Sequence, residues 1–252
     1  MIEILKEYYL DILSGVGYTM LVALVGTAVG LLIGVLIGIY RTMPTPKNRA
    51  ARIFKRIGDW ILSVYVEIFR GTPMMVQAMV IFWGFALLND GRTMNVVVSG
   101  LIIVSINTGA YMAEIVRGGI ISIDKGQFEG AHAIGMGHGK TMLYVVMPQA
   151  LRNILPSVSN EFVINIKDTS VLNVIGFAEL YFVANDIKNQ TYKTFQTFLL
   201  VAIVYFILTF GISMILRLIE RKMDGNKNYK VLGSQNLDAE AYAKANGGGE
   251  NV

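Results

Sequence analysis

The sequence contains no cysteine and only two histidines among its 252 residues. Without cysteine the chain can form no disulfide, thiolate metal site or cysteine nucleophile, and two histidines are too few for a histidine-rich metal centre. Charged residues are also scarce, because they make up 16% of the chain, against roughly 25% in soluble domains. Together with a hydrophobic content of 54%, this deficit indicates a protein whose solvent is lipid.

The formal net charge of +4 does not indicate a nucleic-acid partner. The basic residues cluster at the ends of long apolar segments, which is the distribution expected of a membrane protein with basic cytoplasmic loops. The densest cluster, residues 41–56, holds six basic residues and no acidic one. We therefore expect this segment to lie in the cytoplasm.

Five apolar segments are long enough to cross a hydrocarbon core of roughly 30 Å as helices. They predict an all-α, polytopic membrane protein whose permease domain covers residues 1–223, with the N-terminus outside and the C-terminus in the cytoplasm. In this topology 16 of the 22 lysines and arginines lie in cytoplasmic segments and four lie outside. The predicted spans are 17–40, 60–88, 94–117, 153–176 and 194–219.

The first apolar segment is predicted to be a retained span, because its leader is mixed in charge and the run is too long for a signal peptide. Residues 1–16 before it are predicted to form a short amphipathic helix at the membrane interface. Within the span, glycines recur every fourth residue from Gly26 to Gly38, a spacing that favours close packing against another helix. At the other end of the chain, residues 224–252 are polar and are predicted to be a disordered cytoplasmic tail.

The predicted cytoplasmic loop 118–150 contains a segment, 127–136, that is predicted to be a short helix ended by glycines. A helix outside the bilayer must either pack locally or bind another protein. In this loop Glu129-Gly130-Ala131 is followed after three residues by Gly135 and, nine residues later, by Val145-Val146-Met147-Pro148.

This spacing resembles the E-A-A, three residues, G, nine residues, I-x-L-P motif of bacterial ABC importer permeases. Segments 67–73, 110–120 and 167–172 are similar to the polar amino acid subgroup of that family, and the similarity covers roughly residues 12–222. The resemblance implies a transmembrane domain like that of ABC type I importers, in which the loop docks on an ATPase. The residues that match the docking motif are Glu129, Gly130, Ala131, Gly135 and Pro148.

The resemblance also implies the partners. They are two cytoplasmic ABC ATPase subunits, a second permease copy or a related permease chain, and an extracytoplasmic substrate-binding protein. The substrate would be a polar amino acid of the glutamine, glutamate, arginine, histidine or cystine class, moved into the cytoplasm of a bacterial cell. ATP and Mg would be bound by the partner subunits, because this chain carries no phosphate-binding loop. The chain itself is then not an enzyme and needs no cofactor or metal.

Polar residues inside the third and fourth predicted spans are candidates for a substrate pathway. A charge at mid-helix costs roughly 2.5–3.5 kcal/mol on insertion scales, so such residues usually face a bundle interior or a cavity. Asn107, Tyr111 and Glu114 fall on one helical face, and so do Ser157, Glu161, Asn165 and Asp168. The complete candidate pathway is Asn107, Tyr111, Glu114, Glu161, Asn165, Lys167, Asp168, Thr169 and Ser170.

Several alternatives stay open at this stage. Glu67 with Arg70, and Glu114 with Arg117, have the spacing of structural ion pairs near helix ends. A channel or secondary transporter for a small polar solute would explain the intramembrane charges, although it leaves the cytoplasmic motif unexplained. A membrane-embedded enzyme is disfavoured, because the sequence shows no metal-ligand cluster and no nucleophile with a neighbouring base.

Overall fold

In a computed structural model, which describes residues 1–223, all the regular secondary structure of this range is helical and there is no β-strand. The predicted all-α class is therefore confirmed there, whereas the predicted disordered tail lies outside the described residues. A π-helical turn, Met142–Val146, precedes α7, and a 3-10 helix, Thr169–Ile175, follows it. The helices are α1 Ile2–Thr42, α2 Arg49–Gly71, α3 Met74–Leu88, α4 Val96–Ile121, α5 Lys125–Ala133, α6 His138–Thr141, α7 Met147–Asp168, α8 Leu180–Thr191 and α9 Thr194–Met223.

The glycine stripe of α1 packs directly against α4. A methyl group added to Gly30 would lie 2.8 Å from Thr108, and a methyl at each of the other three positions would also overlap an α4 side chain. Both helices advance four residues per contact, so the two backbones run in register along the seam. The predicted packing role of these glycines is confirmed, and the paired residues are Gly26 with Val104, Gly30 with Thr108, Gly34 with Met112 and Gly38 with Val116.

The second predicted span, 60–88, is built from two helices, α2 and α3, with a bend of 113° across Thr72 and Pro73. Proline has no N–H to continue a helix, so α2 ends there, and the bend is far larger than an ordinary proline kink. The Gln77 amide of α3 donates to the Phe69 and Thr72 carbonyls at 3.0 and 2.9 Å, and so binds carbonyls that the broken helix leaves free.

The N-terminal residues form a short helical stretch that joins the first span across a kink at Tyr8 (φ −112°, ψ 20°). Ile4, before the kink, and Ile12, after it, are buried in a cluster with residues of α8 and α9. The N-terminal stretch that was predicted to lie at the membrane interface therefore packs against the protein.

Helix α8 has no counterpart among the predicted elements. It begins at Glu179, whose buried carboxylate accepts the N–H groups of Tyr181 and Phe182 at 2.8 and 2.7 Å. The Tyr205 hydroxyl of α9 donates to the same carboxylate at 2.9 Å. An acidic cap of this kind satisfies the free donors of a helix start, and here it also joins two helices.

Three helices, α1, α4 and α9, are each long and apolar enough to cross a membrane. Two further spans arise only if each bent pair, α2 with α3 and the α7 segment with α8, counts as one span. The fourth predicted span, 153–176, lies in α7, which begins at Met147, and in the 3-10 helix that follows it. Its last residues form a 3-10 helix that ends at Gly176, which adopts the left-handed conformation (φ 77°).

Candidate functional site

Helix α5 forms the short helix that was predicted in the loop between the third and fourth spans. It begins two residues earlier than expected, because Asp124 caps it by accepting the Gly126 N–H at 2.7 Å. It ends at Ala133, three residues before the predicted limit. The helix lies between the last residue of α4 and the π-helical turn, outside the long apolar helices.

Gly135 ends α5 through a specific backbone motif. Its φ of +81° places it in the left-handed region, where a residue with a Cβ is strained. The Gly135 N–H donates to the His132 carbonyl at 2.9 Å, and the Met136 N–H donates to the Ala131 carbonyl at 3.0 Å. These two bonds define a Schellman motif, so the glycine of the docking motif is required by the conformation that stops the helix.

The remaining motif residues divide between packing and exposure. Ala131 is the one residue of α5 that is buried, whereas Glu129 and Gly130 are exposed. No atom lies within 4 Å of a methyl group added to Gly130. Immediately after the helix, the Ile134 side chain is 79% exposed. Within residues 1–223, therefore, the outer surface of α5 has no covering element.

Pro148 lies where the π-helical turn passes without a break into α7, so its missing N–H leaves a carbonyl of the preceding turn without a helical donor. The π-helical turn that precedes it packs Met142 and Val146 in a buried cluster with Val116 and Ile120 of α4. The end of the docking motif is thus anchored on a membrane-spanning helix. A displacement of α5 can reach α4 and α7 through this cluster.

Asn165 of α7 is fully engaged inside the protein. Its amide nitrogen donates to the Thr27 hydroxyl of α1 at 2.8 Å and to the Thr108 hydroxyl of α4 at 3.0 Å. The three groups are buried, and they join three helices at one level. A satisfied buried network of this kind fixes the helices relative to one another.

Two other candidate residues also have partners within the chain. The Asn107 side-chain amide donates to the side-chain oxygen Oε1 of Gln77 at 2.8 Å and to the backbone carbonyl of Phe69 at 3.3 Å, beside the α2–α3 bend. The hydroxyl of Thr169 donates to the Ile166 carbonyl at 3.0 Å. Both side chains therefore satisfy polar groups of the fold itself.

Glu114 forms ion pairs with two arginines. Its carboxylate is in contact with Arg41 of α1 and lies 2.8 Å from the Arg117 guanidinium. The predicted pair of Glu114 with Arg117 is confirmed. Glu67 is not paired with Arg70 in the described part of the chain, where the Arg70 guanidinium instead lies 5.7 Å from the centre of the Tyr111 ring.

The fourth-span candidates differ in exposure although they follow one helical face. Glu161 and Asn165 are buried, whereas Ser157, Lys167 and Asp168 are exposed. Ser170, in the 3-10 helix, is partly buried. Exposed charges on a helix at membrane depth are costly against lipid, so this surface of α7 requires water, a substrate or another protein beside it.

Four residues that hold the candidates in place were not predicted as site residues: Thr27, Arg41, Gln77 and Thr108. Gln77 carried a usable signal, because it is the only strongly polar side chain in Met74–Leu88. Arg41 was interpreted only as a cytoplasmic charge that sets orientation. The two threonines carry no signal in sequence, because a lone hydroxyl in an apolar helix usually bonds its own backbone.

Among known proteins, residues 30–225 match the family described as binding-protein-dependent transport system inner membrane component. The glutamine transport system permease protein GlnP of Escherichia coli (strain K12) is 36% identical over 216 residues, which cover 84% of this chain and 92% of that protein. The L-cystine transport system permease protein TcyB of Bacillus subtilis (strain 168) is 35% identical over 224 residues, covering 88% and 91%.

Solved structures agree with these relatives. A crystal structure of an amino acid ABC transporter with histidines superposes with a TM-score of 0.74 at 34% identity, covering 86% of this chain and 96% of that one. An inward-facing structure of the MetNI methionine ABC transporter, at 18% identity, shares the fold with a TM-score of 0.70. The predicted resemblance to ABC importer permeases and the predicted cell-membrane location are confirmed. The chain belongs to the family of binding-protein-dependent transport system inner membrane components.

Proposed function

We propose that this chain is the translocating subunit of an ATP-driven importer for a polar amino acid. It contributes the membrane pathway, while two cytoplasmic ABC ATPases bind ATP and Mg and drive alternating access. A second permease copy or a related chain completes the pathway, and an extracytoplasmic protein delivers the amino acid. The named relatives carry glutamine and cystine, which supports a polar amino acid as the substrate class.

The observation that carries this proposal is the uncovered surface of α5. This surface carries the spacing of the docking motif, and Ile134, 79% exposed, adds an apolar side chain to it outside the long apolar helices. Ala131 and the Schellman motif at Gly135 hold this surface in one shape, so it is preformed for docking. The docking segment is Glu129 to Pro148.

The topology belongs to the same proposal. Five spans, two of them bent, place the N-terminus outside, and the basic segment 41–56 and the loop 118–150 in the cytoplasm. The permease domain then covers 1–223. The charge distribution of the sequence and the two bent helix pairs both support this arrangement.

For the pathway, we propose that the candidate residues act in two layers. The exposed Lys167 and Asp168, with Tyr111, face the amino acid, whose ammonium needs an acceptor and whose carboxylate needs a donor. Behind them, the wall is formed by four residues that have partners within the chain, Asn107, Glu114, Asn165 and Thr169, together with the buried Glu161 and the partly buried Ser170. The chain has no cysteine, so Asp168→Cys introduces a single thiol that can be labelled without background. A membrane-impermeant thiol reagent should react with it if residue 168 faces the pathway. Failure of the reagent to react would contradict the proposed position of Asp168.

The coupling proposal is tested by Ile134→Glu in the complete complex, reconstituted in liposomes with its ATPases and binding protein. We expect the charge to remove most of the amino-acid-stimulated ATP hydrolysis, because it places a carboxylate in an apolar contact. Thermal unfolding of the purified chain should not change, since the side chain is 79% exposed. A panel of glutamine, glutamate, arginine, histidine and cystine identifies the substrate in the same assay.

The matched control is Ile134→Val, which keeps the apolar contact and should retain stimulation. Normal coupling in the Ile134→Glu complex would show that α5 is not the docking surface. Uptake by the purified chain alone, driven by an ion gradient, would instead support a secondary transporter.

A further inference from the structure

A basic hollow lies where α1 and α4 end and α5 begins. Its volume is about 340 Å³, within the range of roughly 300–1,000 Å³ that is typical of small-molecule sites. In the proposed orientation it opens at the cytoplasmic leaflet of the membrane. Its lining residues are Arg41, Thr42, Arg117, Ile120, Ile121, Ile123, Lys125, Phe128 and Met142.

Three of the lining residues are cations, and none is an acid. Arg41 and Arg117 share a single carboxylate, that of Glu114, so the pair retains a net positive charge. The Arg117 side chain stays 38% exposed while it is in this pair. Lys125 is exposed and adds a third positive charge from the first turn of α5. The hollow therefore attracts an anion.

Apart from Thr42, the rest of the lining is apolar, which disfavours a freely soluble anion as the ligand. The side chain of Ile121, at the end of α4, is 62% exposed beside the cations. An exposed isoleucine at the end of an apolar helix can pack against the hydrocarbon of a lipid acyl chain. A ligand that combines a phosphate with acyl chains meets both parts of the surface, and basic pockets at the cytoplasmic ends of membrane helices commonly hold lipid headgroups.

We propose that this hollow binds the phosphodiester headgroup of an anionic phospholipid of the cytoplasmic leaflet. The phosphate is held by Arg117 and Lys125 with support from Arg41, and an acyl chain runs along Ile121. The proposal rests on the proposed orientation and not on the identity of the transported amino acid. Because the site joins α5 to the ends of α1 and α4, a bound lipid would steady the docking segment.

The test compares lipid retention by the purified full-length chain in native mass spectrometry after exchange into equal amounts of phosphatidylglycerol and phosphatidylcholine. We expect retained phosphatidylglycerol in the wild type and about a fivefold loss in Lys125→Gln, the amount expected for one basic residue near a charged headgroup. The matched control is Lys140→Gln, which removes an exposed cation of the same loop that does not line the hollow. A separate arm adds inorganic phosphate and follows the melting temperature.

Equal retention of the two lipids, or an equal loss in Lys125→Gln and Lys140→Gln, would overturn the proposal. Protection by inorganic phosphate as strong as that by phosphatidylglycerol would assign the site to a soluble anion instead. If Lys125→Gln weakened ATPase association and left lipid retention unchanged, the hollow would be a protein contact. Selective loss of phosphatidylglycerol at Lys125 alone supports the lipid site.

Discussion

Glycines serve opposite purposes in two regions of this molecule. Along the α1–α4 seam, glycines lie so close to the partner helix that a methyl group would overlap a neighbouring side chain. In the α5–α6 region nothing lies within 4 Å of a methyl group added to any of Gly130, Gly135, Gly137 or Gly139. The seam needs glycine because there is no room for a side chain, and the loop needs it at Gly135, whose left-handed backbone conformation strains any residue with a Cβ.

This difference separates a fixed part of the permease from a part that must receive a partner. The seam joins the two helices over four successive contacts, and Asn165 adds a polar tie from α7. Helix α5 has a single buried residue, Ala131, and a partly buried one, Phe128, while the rest of its surface is exposed. Substitutions in the seam should therefore act on stability, and substitutions in the loop on coupling.

The largest effect is expected for Gly34→Leu. A side chain here collides with Met112 and with the α4 backbone, so the helices must separate. We expect a loss of about 1–3 kcal/mol in the free energy of unfolding, the usual cost of overpacking a tight interface. Thermal unfolding in detergent micelles measures it.

The control for the seam is Gly17→Leu, in the same helix but with open space around it. This variant should melt as the wild type does. If both variants lost the same stability, the effect would belong to leucine in α1 in general, and the seam would not be the cause.

The seam was predictable from sequence because it depends on a local period of four residues. The break at Thr72-Pro73 was also predictable, but its angle of 113° was not, because the angle depends on what Gln77 and Asn107 bond across the chain. Helix α8 was missed, since its start requires a buried carboxylate, Glu179, that the sequence alone does not show to be buried.

An intermediate effect is expected for Gly135→Ala. The residue has a φ of +81°, and an alanine in the left-handed region costs roughly 1–2 kcal/mol. The cost falls on the Schellman motif that ends α5, so the docking segment should lose its shape while the spans remain folded. We expect reduced amino-acid-stimulated ATP hydrolysis by the reconstituted complex at an unchanged melting temperature.

The matched control is Gly137→Ala, two residues further on, where φ is −72° and no atom is close. That alanine is compatible with the backbone and should leave coupling intact. Wild-type stimulation in Gly135→Ala would mean that the end of α5 need not be fixed for coupling.

The candidate site was predicted unevenly for the same physical reason. The docking motif is a local pattern, so its helix, its glycine stop and the proline at the start of α7 all appear in the structure. The polar stripe of α7 can be predicted from sequence only in part. The spacing places Glu161 and Asp168 on one helical face, but it does not show that Glu161 is buried and Asp168 exposed. Burial depends on neighbours that are distant along the chain.

The smallest effect is expected for Gly130→Ala, which replaces a glycine inside α5 with a residue that favours the helix. Glycine inside a helix costs about 1 kcal/mol relative to alanine, and a methyl group here meets no atom of the chain. Because Ala131 and the Schellman motif already hold α5 in one shape, we expect the ATPase to bind this variant at most about fivefold more tightly, as an ATPase titration onto the permease would show. Gly118→Ala, in α4 and equally uncrowded, should change nothing. Weaker ATPase binding by the Gly130→Ala variant would mean that the ATPase lies too close to residue 130 to leave room for a methyl group. Glycine would then serve close packing in the loop as it does in the seam.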